Sequence, residues 1–242
     1  MAPQQLSPCC IATNTHQGEP VGTIHESIYG LPTYVSGDKS SGKLLIIAAD
    51  IYGYSYINNK LIADAFAAKG YYVLLPDLLK NDFAIPGKPE LLPAWLQKHP
   101  VSDVSKMYID FVQKAKEDLK PSFTAGTGYC FGAKFVVENL TKDGLLEAGA
   151  VAHPSFVTPE DVDAIAKPIL ISAAQDDVMF PAVARHKAEE ILIKNQQRFQ
   201  IDLFSGVSHG FAVRGDLKNP VVKYAYDKAL SDQLVFFGQF SK

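Results

Sequence analysis

Residues 122–140 read SFTAGTGYCFGAKFVVENL, and the segment Gly128-Tyr129-Cys130-Phe131-Gly132 in its middle decides the fold. The residues before this segment have the short apolar pattern of a buried strand, and those after it have the pattern of a helix. A strand that passes into a helix through G-x-C-x-G predicts a tight, strained turn, in which larger side chains two residues from the cysteine would collide with neighbouring elements. We therefore expect the Cys130 thiol to project from the carboxyl end of a strand.

The segments on either side of this turn alternate between strand and helix patterns. Strands are predicted at 43–49, 71–75, 122–126, 148–152, 168–173 and 198–204, with helices at 57–69, 104–119, 131–140, 182–193 and 221–237. This alternation predicts an α/β fold with a mainly parallel central sheet and helices on both faces. Residues 23–35, which contain Gly30 and Pro32, suit a hairpin at the edge of the sheet. We expect residues 1–242 to form a single domain.

The composition argues against several classes of partner. With 23 basic and 26 acidic residues, the formal net charge is -3, which disfavours nucleic acid and anionic membranes as partners. No stretch of about 18 uncharged apolar residues predicts a membrane-spanning helix, and the first residues lack the pattern of a secretory signal. Cys9 and Cys10 have neither the spacing of a disulfide framework nor that of a zinc site. We therefore expect a cytoplasmic protein with a small-molecule partner, no nucleic acid and no membrane.

A cysteine in the predicted turn is a candidate nucleophile. The N-terminus of the following helix favours a thiolate and a developing oxyanion, whereas a lone cysteine is more often a small buried apolar residue. Such a nucleophile needs a base, and in turns of this type the chain order is nucleophile, acid, histidine. His209 follows the predicted strand 198–204, and Asp177 follows the predicted strand 168–173. Asp176 is the alternative acid, and a purely structural role is the alternative for His209.

Other side chains near these motifs are candidates for a substrate pocket. His153 follows the predicted strand 148–152, where it either lines the pocket or supports the turn at Pro154. A set of aromatic residues flanks the motifs and forms either an apolar pocket or part of the core. These residues are Tyr52, Tyr54, Tyr129, Phe131, Phe180 and Phe211.

Taken together, these segments resemble the dienelactone hydrolase family, and the likeness extends over nearly the whole chain. It is carried by Ala49-Asp50-Ile51-Tyr52-Gly53, Pro76-Asp77-Leu78, Gly128-Tyr129-Cys130-Phe131-Gly132, the turn from Asp177 to Pro181, and Ser208-His209-Gly210-Phe211. The N-terminal Cys9-Cys10, together with Gly22 and Pro32-Thr33-Tyr34, resembles the eukaryotic and especially the fungal branch. A cysteine in place of serine in the turn distinguishes this family from most α/β-hydrolases.

The resemblance implies an α/β-hydrolase fold without a large lid domain and a triad of Cys130, His209 and Asp177. It also implies an oxyanion hole formed by the backbone N–H groups of Ile51 and Phe131, and neither a metal nor a cofactor. The expected activity is hydrolysis of small carboxylic esters or lactones, such as dienelactones that bear a carboxylate. Thioester cleavage, acyl transfer or lactone isomerisation at the same site, and a non-catalytic ligand-binding protein, are the alternatives. We expect a monomer or a homodimer.

Two features depart from the pattern of the bacterial members. Asp50 stands where those proteins have a glutamate that interacts with the thiol, and its shorter side chain is expected to reach Cys130 only through water. The bacterial members also bind the substrate carboxylate with two arginines. Here Arg214 is the candidate for one of them, with a surface role as its alternative, and Lys80 stands near the place of the other. A guanidinium group suits a carboxylate better than an ammonium group does, so the substrate of this chain need not be a dienelactone.

Overall fold

The computed structural model describes residues 13–241, whose strands form one eight-stranded sheet. The strands are β1 (Thr23–Ile28), β2 (Leu31–Ser36), β3 (Lys43–Ala48), β4 (Tyr72–Pro76), β5 (Phe123–Tyr129), β6 (Ala148–Ala152), β7 (Ile169–Asp176) and β8 (Phe199–Ser208). Their order in the sheet is β1-β2-β4-β3-β5-β6-β7-β8. Strands β3 to β8 run parallel, whereas β2 is antiparallel to both of its neighbours. The predicted parallel sheet and its edge hairpin are therefore confirmed. Cys9 and Cys10 lie outside the described residues.

Helices cover both faces of this sheet, as predicted. They are α1 (Ile57–Ala67), α2 (Leu92–Lys98), α3 (Val101–Leu119), α4 (Gly132–Glu138), α5 (Pro159–Asp163), α6 (Ala182–Lys194), α7 (Phe211–Arg214) and α8 (Pro220–Gly238). Helices α2 to α6 contribute to the core on one face, and α1, α7 and α8 contribute to the core on the other. Strand β3 supplies alternate residues to the two cores because successive side chains of a strand point to opposite faces. Leu44 and Ile46 join the first core, and Leu45 and Ile47 join the second.

Strand β5 is longer than the sequence pattern predicted. The predicted strand ended at Gly126, whereas the structure continues the strand to Tyr129. The glycines of this strand allow close packing of the layer above the sheet. A Cβ atom on Gly126 would lie 2.5 Å from Leu146 Cδ1, and one on Gly128 would lie 2.7 Å from Ala133 Cα. Glycine therefore marks contact with neighbouring elements here and not the end of the strand.

The parallel arrangement brings the carboxyl ends of β3, β5, β6, β7 and β8 to one edge of the sheet. From β3 the chain passes to β4 on one side, and β5 lies on the other side of β3. Ligands of open α/β sheets bind in the crevice at such a change of direction. The described residues contain no large lid domain over this edge. Among residues 13–241, no helix has the length and apolar character to cross a membrane.

Candidate active site

Cys130 occupies a strained turn between β5 and α4. Its φ angle is 54°, in the left-handed region that residues with a side chain rarely adopt. A Cβ atom on Gly132 would lie 2.0 Å from the carbonyl oxygen of Ala48, so only glycine permits α4 to start this close to β3. The two glycines of the G-x-C-x-G segment thus have the steric role that the sequence predicted.

The side chains of Cys130, His209 and Asp177 form a continuous chain of hydrogen bonds. His209 Nε2 lies 3.1 Å from Cys130 Sγ, and His209 Nδ1 lies 2.9 Å from each carboxylate oxygen of Asp177. The backbone N–H groups of Met179 and Phe180 donate to Asp177 Oδ1 over 2.8 and 3.1 Å and fix the carboxylate. The side chains of Cys130, His209 and Asp177 are all buried. The structure thus brings together the three residues that the chain order had suggested.

Asp176, the alternative acid, does not reach the imidazole. Its side chain is exposed, whereas that of Asp177 is buried against His209. Asp176 contributes only its backbone carbonyl, which accepts a hydrogen bond of 3.1 Å from the N–H of His209. The carboxylate that orients the histidine ring is therefore the one of Asp177.

Burial and charge shift the pKa values of the thiol and the imidazole in opposite directions. Burial by itself raises the pKa of the Cys130 thiol, but the charge and hydrogen bond of His209 together with the charge of Arg214 lower it, so that this pKa lies below its ordinary value. Burial lowers the pKa of His209, but the Cys130 thiolate and the Asp177 carboxylate raise it to about 9. The pair therefore favours a thiolate beside an imidazolium, which is the reactive form of a cysteine nucleophile.

A pocket of about 280 Å³ opens above this pair. Its lining consists of Ile51, Leu92, Leu96, Cys130, Phe131, Ser155, Phe156, Met179 and His209. The backbone N–H groups of Ile51 and Phe131, which the resemblance assigned to an oxyanion hole, donate to no other described residue. Ser155 Oγ lies 3.5 Å from Cys130 Sγ, so a hydroxyl group also contacts the thiol.

Asp50 and Arg214 form a buried ion pair next to the site. Arg214 Nε donates to Asp50 Oδ2 over 3.2 Å, and both side chains are almost completely buried. Asp50 Oδ1 accepts further hydrogen bonds from Asn59 Nδ2 and from the N–H of Tyr52, at 3.1 and 3.2 Å. Among the described residues, no direct hydrogen bond joins Asp50 to Cys130, and a contact through water stays a prediction.

Arg214 requires a correction of the sequence interpretation. The surface role that was its alternative is excluded, because Arg214 is among the largest fully buried side chains. Arg214 also does not line the pocket, since its guanidinium lies against Asp50 and over the ring of Tyr52, 5.4 Å from the ring centroid. The neighbouring Gly210 makes this possible, because a Cβ atom there would lie 2.2 Å from Arg214 Nη1. The geometry therefore favours an internal ion pair over the predicted anchor for a substrate carboxylate.

His153 lies behind His209 and not in the pocket. It is fully buried, and its ring meets that of His209 edge to face with the centroids 5.0 Å apart. Neither ring nitrogen has a hydrogen-bond partner among the described residues. Burial, followed by the charges of His209 and Arg214, holds the pKa of His153 well below its ordinary value. His153 therefore packs against the site as a neutral ring.

Several other predicted pocket residues point elsewhere. Tyr129 lies on the opposite face of the sheet, where its hydroxyl donates to Gln233 of α8 over 3.0 Å. Phe211 packs against Phe204, with 5.3 Å between the ring centroids. Three further candidates are likewise absent from the pocket lining, namely Tyr52, Tyr54 and Phe180, and Lys80 is exposed on the loop after β4. For these aromatic residues the core-packing alternative describes the observed structure.

The sequence interpretation missed five residues of the pocket wall. They are Leu92 and Leu96 of α2, Ser155 and Phe156 after β6, and Met179 after Asp177. The last three could have been found, since each follows the carboxyl end of a strand. No comparable signal pointed to α2, because it has only seven residues and lies in a segment with four prolines: Pro86, Pro89, Pro93 and Pro100.

Comparison with known proteins identifies the family. The sequence profile of the dienelactone hydrolase family matches residues 31–241. This chain belongs to the dienelactone hydrolase family. The hydrolase pyvD of Aspergillus violaceofuscus is 38% identical over 241 residues, which cover 98% of this chain and 97% of that protein. Dienlactone hydrolase 1 of Gibberella moniliformis is 36% identical, with 91% and 88% of the two chains covered.

A solved structure shows the same fold. The dienelactone hydrolase of Anabaena variabilis superposes with a TM-score of 0.66 at 12% identity, over 93% of this chain and 99% of that one. The predicted α/β-hydrolase fold of this family is thereby confirmed. Membership of the dienelactone hydrolase family also confirms the prediction of a carboxylic ester hydrolase.

Proposed function

We propose that this chain hydrolyses small carboxylic esters or lactones, with Cys130 as the nucleophile. The observation that carries the proposal is the unbroken chain of hydrogen bonds from Cys130 Sγ through His209 to Asp177. A nucleophile, a base within hydrogen-bond reach and a third group that orients the base are the features of nucleophilic catalysis. The carboxylate of Asp177 keeps the proton on His209 Nδ1, so that Nε2 faces the sulfur.

In the first half of the reaction, the Cys130 thiolate attacks the carbonyl carbon of the ester. The carbon–sulfur bond forms while the carbonyl π electrons move onto the oxygen, which is stabilised by the N–H groups of Ile51 and Phe131. When this tetrahedral intermediate collapses, the bond to the alcohol oxygen breaks, and His209 Nε2 gives its proton to that oxygen. The products are an alcohol and a thioester on Cys130. In a lactone, the alcohol stays attached to the acyl chain.

In the second half, water cleaves the thioester. His209 Nε2, now without its proton, accepts a proton from the attacking water molecule. The new carbon–oxygen bond forms, the carbon–sulfur bond breaks, and the sulfur leaves as a thiolate next to the restored imidazolium. The net reaction is ester plus water to acid plus alcohol, and no metal or cofactor enters it.

Kinetic measurements on a variant of the sulfur atom test this proposal. Cys130→Ala is expected to lower kcat/KM for p-nitrophenyl butyrate and for δ-valerolactone by about 10³-fold or more. The matched control is the double variant Cys9→Ala, Cys10→Ala, which is expected to keep wild-type activity. Mass spectrometry of the wild-type protein, quenched during turnover, is expected to find the acyl group on the peptide that contains Cys130. Wild-type rates in Cys130→Ala, or an acyl group on a different residue, would contradict the proposal.

A further inference from the structure

The pocket above Cys130 is lined almost entirely by apolar side chains. Six of its nine residues are apolar, namely Ile51, Leu92, Leu96, Phe131, Phe156 and Met179. The polar atoms come from Ser155 and from the reacting pair Cys130 and His209. No aspartate, glutamate, lysine or arginine of the described residues belongs to the lining. The pocket encloses about 280 Å³ including space that is open to solvent, so the acyl group that fits it is compact.

The nearby lysine and arginine side chains are not part of the lining of this pocket. Arg214 is buried against Asp50, which balances its charge. Lys88 and Lys98 line a separate groove of about 600 Å³, which shares only Leu92 with the pocket. Lys80 is exposed on the loop after β4.

The two buried cations at the site are already paired, His209 with Cys130 and Asp177, and Arg214 with Asp50. A carboxylate on the acyl part of a substrate would therefore lose its water without gaining an uncompensated cationic partner. Burial of an unpaired charge is strongly unfavourable. The thiolate of Cys130, which the neighbouring His209 favours, would add repulsion between like charges. An alkyl group in the same place has the opposite effect, since each buried methylene contributes a factor of about four in binding.

From these observations we infer that the site is selective for neutral esters and lactones with a compact apolar acyl part, and that it excludes substrates whose acyl part bears a carboxylate. The inference rests on the proposed function of Cys130 and specifies its substrate class. It sets this chain apart from the carboxylate-bearing dienelactones that the family resemblance implies. The residues that determine the selectivity are those of α2, which close the pocket with Leu92 and Leu96.

A pair of esters that differ in one charge tests the selectivity. p-Nitrophenyl pentanoate and the mono-p-nitrophenyl ester of succinic acid have acyl chains of similar length, and only the second ends in a carboxylate. After subtraction of the rate without enzyme, wild-type kcat/KM is expected to favour the pentanoate by at least about 100-fold. A ratio within about threefold of one, or a preference for the succinate ester, overturns the inference.

A charged residue introduced on α2 supplies a second, independent test. Leu96 is half-buried at the pocket wall, so in Leu96→Arg the long side chain can keep its head partly in water. This variant is expected to reduce the preference for the pentanoate at least about tenfold. Gln97→Arg is the control, because Gln97 is exposed on the same helix outside the pocket and adds the same charge. Its preference is expected to equal that of the wild-type protein, and an equal reduction in both variants overturns the assignment to α2.

The outcomes separate this inference from the proposed function. If Cys130→Ala hydrolyses both esters as fast as the wild-type protein, the proposed function fails whatever the selectivity is. If Cys130→Ala is inactive and the wild-type protein prefers the succinate ester, only the selectivity is wrong. If the wild-type protein hydrolyses neither ester, both are wrong. The wild-type ratio is decisive by itself, so the inference stays testable if Leu96→Arg does not fold.

Discussion

Asp50→Asn is expected to destabilise the protein and to lower the pKa of the Cys130 thiol at the same time. The substitution keeps the size of the side chain but removes the negative charge that lies 3.2 Å from Arg214 Nε. Both partners of this ion pair are almost completely buried. The guanidinium of Arg214 then loses the charge of Asp50, which compensates for its loss of water in the protein interior.

The size of the destabilisation follows from the geometry. At 3.2 Å and an effective dielectric constant of about 20, the attraction between the two charges is about 5 kcal/mol. Asparagine retains an oxygen, but its NH₂ group must face either Arg214 Nε or the donors Asn59 Nδ2 and Tyr52 N, which now occupy the carboxylate oxygens. We therefore expect the free energy of unfolding to fall by about 3–5 kcal/mol, the usual effect of breaking a buried pair.

Asp50 and Arg214 shift the pKa of the Cys130 thiol in opposite directions. The negative charge of Asp50 raises the pKa of Cys130, and the positive charge of Arg214 lowers it. In Asp50→Asn, no charge at position 50 opposes the effect of Arg214 on the thiolate. The substitution is therefore expected to lower the thiol pKa below that of the wild-type protein. Arg214→Gln is expected to raise it. A structural perturbation without an electrostatic basis would not shift the thiol pKa in opposite directions in Asp50→Asn and Arg214→Gln.

Two measurements check this prediction. Urea unfolding gives the stability of Asp50→Asn, of Arg214→Gln and of the double variant, which is expected to lose less than the sum of the single losses. Asp143→Asn is the control, because Asp143 is exposed, and its effect should stay within about 0.5 kcal/mol. The pH dependence of alkylation of the Cys130 peptide by iodoacetamide gives the thiol pKa. A loss of stability below about 1 kcal/mol in Asp50→Asn, or an unchanged thiol pKa, would refute the reasoning.

Three further predictions follow from the pKa shifts and the close contacts. For a neutral ester, kcat/KM should rise with pH in a range below the ordinary thiol pKa and decline around pH 9, because His209 then loses the proton that the leaving alcohol needs. A profile that keeps rising through pH 9 would contradict the pair of Cys130 thiolate and His209 imidazolium. His153→Asn should make the free energy of unfolding less sensitive to acid, because the His153 imidazole of the wild-type protein binds a proton below about pH 6.5 only in the unfolded state. Between about pH 7.5 and 5.5, urea unfolding should therefore show that the wild-type protein loses about 1.4 kcal/mol more than the variant. Equal losses would contradict a neutral buried ring. Gly132→Ala should cost about 1–3 kcal/mol or more in thermal unfolding, because its Cβ atom meets the carbonyl of Ala48, whereas Gly238→Ala in α8 should be neutral or stabilising.

The fold and the three reacting side chains could be predicted because local sequence features determine them. The glycines around Cys130 are needed by contacts within a single strand–turn–helix unit. Buried parallel strands appear in the sequence as continuous apolar runs, and their carboxyl ends share one edge of the sheet. Asp177 and His209 therefore meet Cys130 even though 47 and 79 residues separate them in sequence from it. The turn to Pro181 already favoured Asp177 over Asp176 in the sequence, and the burial that separates the two carboxylates is visible only in the structure.

The pocket wall was less predictable because tertiary packing determines it. Helix α2 is too short for a periodic signal, and Pro93 stands in its first turn, where a helix tolerates proline because the missing N–H would have no partner there. The position of Tyr129 could not be inferred from its place next to Cys130. It adjoins Cys130 in sequence, but it is the last residue of a strand whose alternate side chains point to opposite faces, so its ring packs under α8 instead of in the pocket.

The contact between Asp50 and Arg214 depends both on local sequence features and on tertiary packing. In the sequence they are separate charges, one after β3 and one in the short helix after β8, and each suggested its own role at the site. Because both strand ends lie at the same edge of the sheet, the two side chains meet and their charges compensate inside the protein. The guanidinium that could have faced a substrate carboxylate lies against Asp50 instead, and apart from Cys130, Ser155 and His209 the pocket is lined by apolar side chains. An internal ion pair and a preference for neutral substrates are thus two consequences of one contact, so a variant that frees Arg214 from Asp50 is expected to change both stability and selectivity.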